Sequence, residues 1–343
     1  MKKIKKKLAY VDFWSHKYTK SGDFLRKILS EEFEIIDFWW KPRMKIPIDR
    51  LNKFEHIFFF HAIFPYQVLK RLKNKKIMWA PMYDALNFRN NFFKSLYWKQ
   101  MSNLGVKVLK FSNKITESIG SEKIDSLRLD YFIKPTLNQS INKSKKLNIF
   151  FWDRGRINFN DWYHFFNKKE INQIIYFPMP DLGFNIIDDD LPNLKEHKIK
   201  RIDKKFLSKK KYLKLFKICN VFVAPRKKEG IGMSIVEAIS KGIFLVGYND
   251  STMNEYISNN KVGFIYDENT NKKINIKNIV NNYKYRNIRA KLNYDKWTRD
   301  KNKIIPLLKA ESKIVKKIHF PLLFILDDFK FFIKKIFNIN FYY

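Results

Sequence analysis

The sequence predicts an α/β protein built from two parallel-sheet domains, and three observations carry that prediction. Short, apolar, strand-like runs alternate with helical patterns along the chain. The alternation halts at a polar stretch with no periodicity and then begins again. The length of 343 residues suits two domains of roughly 100–200 residues each.

The first run, Leu8–Trp14, reads as a strand, followed by a helix around Gly22–Glu32 and a second strand at Glu34–Trp40. His56–His61 and Lys76–Ala80, rich in Phe, Ile and Met, read as buried strands. Asn91–Asn103 has a helical pattern and Val106–Phe111 returns to strand. Thr136–Lys146 follows Pro135, is polar and without period, and marks a domain linker. Beyond it, Leu147–Trp152, Gln173–Phe177, Lys198–Ile202, Val221–Ala224 and Ile243–Val246 read as strands, with helices at Lys209–Cys219 and Met233–Lys241. Tyr283–Leu308 reads as one long helical stretch, and after Pro321 the apolar residues of Leu322–Phe337 gather on one helical face. The expected domains are therefore 1–138, a linker at 139–146, 147–305, and a basic, aromatic tail at 306–343.

Sixty-nine Lys and Arg against 33 Asp and Glu give a net charge of +36. Hydrophobic residues make up 45% and aromatic residues 17%, so the chain has the means to bury a core and is not a disordered basic tail. The charge fits an anionic partner, and it equally fits the Lys-, Asn- and Ile-rich alphabet of an AT-rich genome. The single cysteine, Cys219, excludes an internal disulfide framework and a thiolate-rich zinc site. The start, Met1–Lys7, is basic like a signal peptide, but Asp12 ends the apolar run behind it, so secretion by that route is not expected. No stretch reaches the roughly 18 apolar residues of a membrane span.

The chemistry concentrates in Val221–Tyr266. A buried strand ends at Pro225, a basic loop leads to Glu229-Gly230-Ile231-Gly232, and a helix then starts near Met233 and closes at Gly242. Two glycines before a helix allow close backbone approach to a ligand, and the unpaired N–H groups of a first turn favour phosphate. Glu229 and Glu237 stand before and within that helix, and side chains on a helix lean toward its N-terminus. Two carboxylates flanking a phosphate-binding turn suit a ligand with both phosphates and hydroxyls, which is the description of a nucleotide sugar.

These residues form the string P-x-x-x-E-G-x-G-x-S-x-x-E-A at 225–238, followed by glycine at 242, glutamate at 255 and Gly-Phe at 263–264. The string resembles the donor-binding signature of the family 4 GT-B glycosyltransferases, the glycosyl transferases group 1. The resemblance implies two Rossmann-like parallel-sheet domains, an interdomain cleft and a C-terminal crossover helix. It further implies that Glu229 contacts the transferred sugar and Glu237 the ribose hydroxyls, while amides of Gly230, Ile231, Gly232, Met233 and Ser234 cradle the diphosphate. An arginine early in the second domain assists, and Arg154 and Arg156, at the end of that domain's first strand, both fit this role. Where the family keeps a lysine a few residues later this chain has Asn158-Phe159-Asn160, leaving Lys228 or Arg226 as substitutes. In the first domain, Thr19–Asp23 with Gly22 corresponds to a glycine-rich loop facing the donor. Asp84 alone remains where many members carry a His-Asp pair, and His61 ends the preceding strand.

The function implied is transfer of a hexose, with retention and without a metal or other cofactor, from a nucleotide-diphosphate sugar to a growing surface glycan. The acceptor is expected to be lipid-linked, an O-antigen, lipopolysaccharide or capsule precursor. The enzyme would then work on the anionic inner face of the plasma membrane, with Phe88–Lys99 and Leu322–Phe337 as apolar contacts. Other readings compete. Asp188-Asp189-Asp190 contains a D-x-D pattern that could hold a divalent cation, though it sits in a polar connection. A nucleotide-sugar epimerase or a phosphorylase would share the fold, the latter needing a pyridoxal lysine site that is not evident. Nucleic-acid binding would suit the charge, but the lysines are scattered and the Glu229–Glu237 pair would repel phosphates.

Overall fold

The computed structural model describes residues 4–41, 44–72, 75–86, 88, 90–136, 146–181, 184–186, 198–203, 207, 209–250 and 252–312. The polar linker (all but its ends), Asp188–Asp190 and the Leu322–Phe337 segment lie outside them. The chain divides into two units, Met1–Leu129 with Asp300–Tyr343, and Asp130–Arg299. Each is built on a parallel sheet of six strands, as the alternating pattern predicts.

The first unit contains β1 (Lys6–Phe13), β2 (Phe33–Trp40), β3 (His56–His61), β4 (Lys76–Pro81), β5 (Lys107–Lys110) and β6 (Ser126–Arg128), in the order β2-β1-β3-β4-β5-β6. Alternate side chains point to opposite faces of a strand. Ala9, Val11, Ile57, Phe59, Ile77 and Trp79 therefore enter one apolar layer, joined by Trp98 and Met101 of helix Asn91–Asn103. Leu8, Tyr10, Phe58, Phe60 and Met78 are buried on the other face. Near-continuous apolar runs follow from this two-sided burial.

The second unit contains β7 (Leu147–Asp153), β8 (Ile171–Pro178), β9 (Ile199–Arg201), β10 (Val221–Val223), β11 (Phe244–Tyr248) and β12 (Gly263–Tyr266), in the order β12-β11-β10-β7-β8-β9. Ile149, Phe151, Val221 and Val223 face one layer, and Phe150, Phe222 and Ala224 the other. In each unit the strand order reverses once, between β1 and β3 and between β7 and β10. Loops leaving the carboxyl ends of the strands part at such a point and open a crevice, where ligands of this fold class bind.

The helical stretch expected at Tyr283–Leu308 is not continuous. Helix Tyr283–Asp300 gives way to a 3₁₀ turn at Lys301–Lys303, and a new helix runs Ile304–Lys309. Pro306 explains the break, because it lacks an N–H and is accommodated only within a first turn. The restarted helix packs on the first unit, where the fully buried Lys107 donates to the carbonyls of Leu308 (3.3 Å) and Ala310. An ammonium group at a helix C-terminus satisfies the orphaned carbonyls and opposes the dipole. Of the aromatic residues expected to touch a membrane at Phe88–Lys99, Trp98 is buried in the core, and Phe88 and Tyr97 pack against it. Phe92 remains 55% exposed. Among the described residues no helix is long and apolar enough to cross a membrane.

Arg286 anchors helix Tyr283–Asp300 to the second sheet. It is 4% exposed and donates to four carbonyls, those of Gly242 (2.6 Å), Lys261 (3.1 Å), Asn278 (3.2 Å) and Ile279 (2.6 Å). Burial lowers its pKa to about 10. Arg286→Leu should lower the unfolding free energy by about 3 kcal/mol or more, because each charge-assisted hydrogen bond contributes roughly 1.5–3 kcal/mol and the carbonyls stay buried. Denaturant titration measures this, and a loss under about 1 kcal/mol, typical of an ordinary substitution, would show that the fork is dispensable.

Candidate functional site

The loops after β7, β8 and β10 build the site. Asp153 ends β7 and turns the chain: its carboxylate accepts the Gly155 N–H at 2.8 Å and the Tyr176 hydroxyl at 2.8 Å. Gly155 has φ +68°, and a Cβ there would meet the Asn185 carbonyl at 2.7 Å, so a side chain is excluded. The loop after β8 then runs alongside, with Met179 N–H on the Asp153 carbonyl (2.9 Å) and Asp181 N–H on the Arg154 carbonyl (3.0 Å). This backbone pairing delivers the Asp181 side chain next to Arg154.

Three arginines converge on that one carboxylate. Arg154 donates through Nε (2.7 Å) and approaches with Nη2 (2.5 Å) at Oδ1. Arg226 does the same at Oδ2, with Nε at 2.8 Å and Nη2 at 2.7 Å, and Arg156 Nε lies 3.3 Å from Oδ2. Arg226 Nη1 also stands 3.6 Å from Glu229 Oε2. The guanidinium of Arg154 lies over Trp152 at 4.8 Å and that of Arg156 over Phe184 at 3.3 Å. Three guanidinium groups thus gather around the Asp181 carboxylate, with Glu229 beside Arg226.

The electrostatics follow the packing. Burial pushes the Asp181 carboxyl up, but the hydrogen bonds and charges of Arg226 and Arg154 outweigh it and hold the group below the usual carboxylate range. Burial lowers the pKa of Arg154, and repulsion from Arg226 adds to the effect, while Glu229 and Asp181 oppose it.

Glu229 is 7% exposed at the start of the turn that leads into helix Met233–Ile239. Its carbonyl accepts from the Thr252 hydroxyl at 3.4 Å, and the Ile231 carbonyl accepts from the Tyr256 hydroxyl at 2.8 Å. Gly232 has φ +65°, the left-handed conformation that the turn requires of a glycine. Its carbonyl takes the N–H groups of Ile235 and Val236, leaving the amides of Met233 and Ser234 at the start of the helix without intrahelical partners. Glu237 is half-buried on the same helix. The Tyr212 hydroxyl, its pKa raised first by burial, lies in the field of Glu237, Arg154 and Glu229.

Arg154, Arg156, Glu229, Gly230, Ile231, Gly232, Met233, Ser234 and Glu237, all expected site residues, thus belong to the second unit. Arg226, expected only as a substitute cation, is a full member of the cluster, and Asp181 had no expected role. Gly22 and Asp84 lie in the first unit. Gly22 is buried, and a Cβ there would meet the Tyr10 hydroxyl at 2.7 Å and Arg26 at 2.9 Å. Asp84 is exposed on the 3₁₀ turn Tyr83–Ala85 that follows β4.

Residues 197–294, which include Glu229 and Glu237, match the family model described as glycosyl transferases group 1. Among solved structures, the chain is similar to a glycosyltransferase from Rickettsia africae, with a TM-score of 0.57 and 14% identity over 92% of this chain and 100% of that one. It is also similar to HepE of Anabaena, solved in complex with UDP and glucose, with a TM-score of 0.55 and 12% identity over 88% of this chain and 98% of that one. A third likeness is to sucrose-phosphate synthase of Thermosynechococcus elongatus, with a TM-score of 0.54 and 10% identity over 89% and 97%. No curated protein matches this sequence. The fold is that of the GT-B glycosyltransferases, and the stretch 197–294 is similar to the glycosyl transferases group 1 family.

The Asp181 clamp generates a pH prediction. A carboxyl whose folded pKa is depressed contributes stability that is complete above its unfolded value, about 3.9, and that vanishes as pH falls through the folded value. Asp181→Asn should cost on the order of 1–3 kcal/mol at neutral pH, because losing one partner of a partly buried pair leaves the arginine charges uncompensated, in part screened by solvent. The gap between wild type and variant should close below about pH 4. Denaturant titrations across pH measure it, and a gap that does not change with pH would contradict the clamp.

Proposed function

We propose that this chain transfers a hexose from a nucleotide-diphosphate sugar to a glycan under assembly on a lipid carrier, such as an O-antigen, lipopolysaccharide or capsule precursor. One observation carries the donor assignment: the gathering of Arg154, Arg156 and Arg226 beside Glu229 at the β7/β10 crossover. A diphosphate supplies the opposite charge, and its own charge grows as the glycosidic bond to it breaks. Fixed guanidinium groups aimed at that oxygen stabilise the transition state more than the ground state. Arg154 and Arg226 act there, with Arg156 at the exposed side. The amides of Gly230–Ser234 add neutral donors. The UDP complex of the Anabaena neighbour supports a nucleotide donor by analogy of fold.

Glu229 takes the sugar and Glu237 the ribose hydroxyls, as in the family 4 signature that the chain resembles. The same resemblance supports retention of configuration, a reaction without metal, and a contribution of Asp84 in place of the missing His-Asp pair. The net charge of +36 favours the anionic inner leaflet, where each nearby Lys or Arg contributes about 1 kcal/mol of attraction.

The two glutamates give the test. Glu237→Gln removes a charge-assisted hydrogen bond worth roughly 1.5–3 kcal/mol, on a part of the donor remote from the reacting carbon. Binding of the bare nucleoside diphosphate should weaken accordingly. Glu229→Gln should leave that binding unchanged and lower kcat, because its contact tightens at the reacting sugar. Calorimetric titration with nucleoside diphosphates and initial rates in excess chelator separate the effects. Reversal of the two phenotypes would exchange the roles, and full activity in both variants would refute the donor site.

A further inference from the structure

The turn that carries Glu229 is held on one side by two hydroxyls from another segment. Helix Met253–Tyr256 follows β11. Thr252, which precedes it in a helical conformation, and Tyr256, its last residue, stand four apart and so share a face. The Thr252 hydroxyl donates to the Glu229 carbonyl at 3.4 Å, and the Tyr256 hydroxyl to the Ile231 carbonyl at 2.8 Å. Thr252 and Met253 are buried, and the Thr252 carbonyl takes the N–H groups of Glu255 and Tyr256, which anchors the helix. The Tyr256 ring is aimed by Phe132, edge to face with centroids 5.7 Å apart.

The direction of these bonds matters. In a trans peptide the carbonyl of one residue and the N–H of the next point opposite ways. Fixing the carbonyls of Glu229 and Ile231 toward the helix therefore turns the N–H groups of Gly230 and Gly232 to the other side of the turn. Both glycines are buried, and among the described residues neither N–H donates a hydrogen bond. Buried amides are nearly always paired, so two left over on one side of a turn call for an acceptor. Glycine has the widest backbone freedom of any residue, and a turn with two of them would let both peptides rotate without an outside restraint. The two hydroxyls supply that restraint.

We infer that Thr252 and Tyr256 are positioning residues for the donor turn, their hydroxyls orienting the Gly230 and Gly232 amides and the Glu229 backbone toward the diphosphate of a bound nucleotide sugar. In this role neither side chain touches the ligand; both act through peptide carbonyls. The inference rests on the donor reading above, and neither residue is among those that carry the family resemblance. Loss of either hydroxyl should loosen the grip on phosphate and leave the contacts to base and ribose as they are.

The test titrates UDP, uridine, GDP and guanosine calorimetrically into the full chain and into Tyr256→Phe, Thr252→Val and Thr252→Ser, all at equal ionic strength. The readout is the ratio of diphosphate to nucleoside affinity for the base that binds more tightly. Tyr256→Phe should cut that ratio about fivefold, and Thr252→Val, which removes the longer bond, about threefold. Thr252→Ser keeps a hydroxyl and should keep the wild-type ratio. Nucleoside affinity should be the same in all four chains. Tyr256 is partly exposed, so Tyr256→Phe opens no hole in the core, and circular dichroism checks that each variant stays folded. A merely structural contact would change stability without moving the ratio. A wild-type preference for the diphosphate that persists in Tyr256→Phe and Thr252→Val, or an equal loss in Thr252→Ser, would overturn the clamp and leave the donor reading standing. A wild-type chain with no such preference would refute the donor reading itself, and the clamp with it.

Discussion

One carboxylate, that of the half-buried Asp181, orders the candidate donor site. Without Asp181, the guanidinium groups of Arg154, Arg156 and Arg226 would stand together at the ends of β7 and β10, where Arg154 and Arg226 repel each other. With it, Arg154 and Arg226 are each held through Nε and Nη2, and Arg156 through Nε, so the three guanidinium groups keep a fixed position. Preorganised charge of this kind loses nothing to reorganisation when a bond breaks nearby. The clamp also sets the loops: Asp181 reaches the arginines because its own backbone N–H is tied to the Arg154 carbonyl.

The sheets explain why chemistry collects where it does. Each has one reversal of strand order, and each reversal sits beside a cluster of charged or aromatic side chains. In the second unit, β7 and β10 pair in register from Val221 with Ile149 to Val223 with Phe151, so the two arginine-bearing loops start side by side. In the first unit, β1 and β3 pair up to Val11 and Phe59, and Asp12, His16 and His61 follow at that end. Buried ion pairs are weak contributors to stability in general. Here they position functional groups, and the apolar layers on both faces of each sheet supply the stability.

Local features were legible in the sequence. Glu229, Gly232 and Glu237 lie within a single turn and helix, so their spacing along the chain is close to their spacing in space, and Gly232 takes the positive φ that its neighbours imply. The strands with two buried faces were likewise readable as apolar runs. Features made by distant pairing were not. Asp181 lies 27 residues from Arg154 and 45 from Arg226, inside Pro-Asp-Leu-Gly, which reads as an ordinary turn. The edge strands β6 and β12, of three and four residues, were too short to show a period. Trp14 read as the last residue of a buried strand, yet β1 ends at Phe13 and Trp14 is exposed. An apolar residue just past a strand looks the same in sequence whether it is covered or left open to solvent.

One measurement tests directly that the arginine cluster is a diphosphate site. Uridine and UDP, or guanosine and GDP, are titrated calorimetrically into the wild-type chain and Arg154→Gln at equal ionic strength. The diphosphate should bind the wild-type chain more tightly than the nucleoside by about a hundredfold, and Arg154→Gln should reduce that ratio by about tenfold, or 1.4 kcal/mol. The affinity for the nucleoside alone should not move. Equal affinities for nucleoside and diphosphate in the wild-type chain, or a ratio untouched by Arg154→Gln, would contradict the assignment.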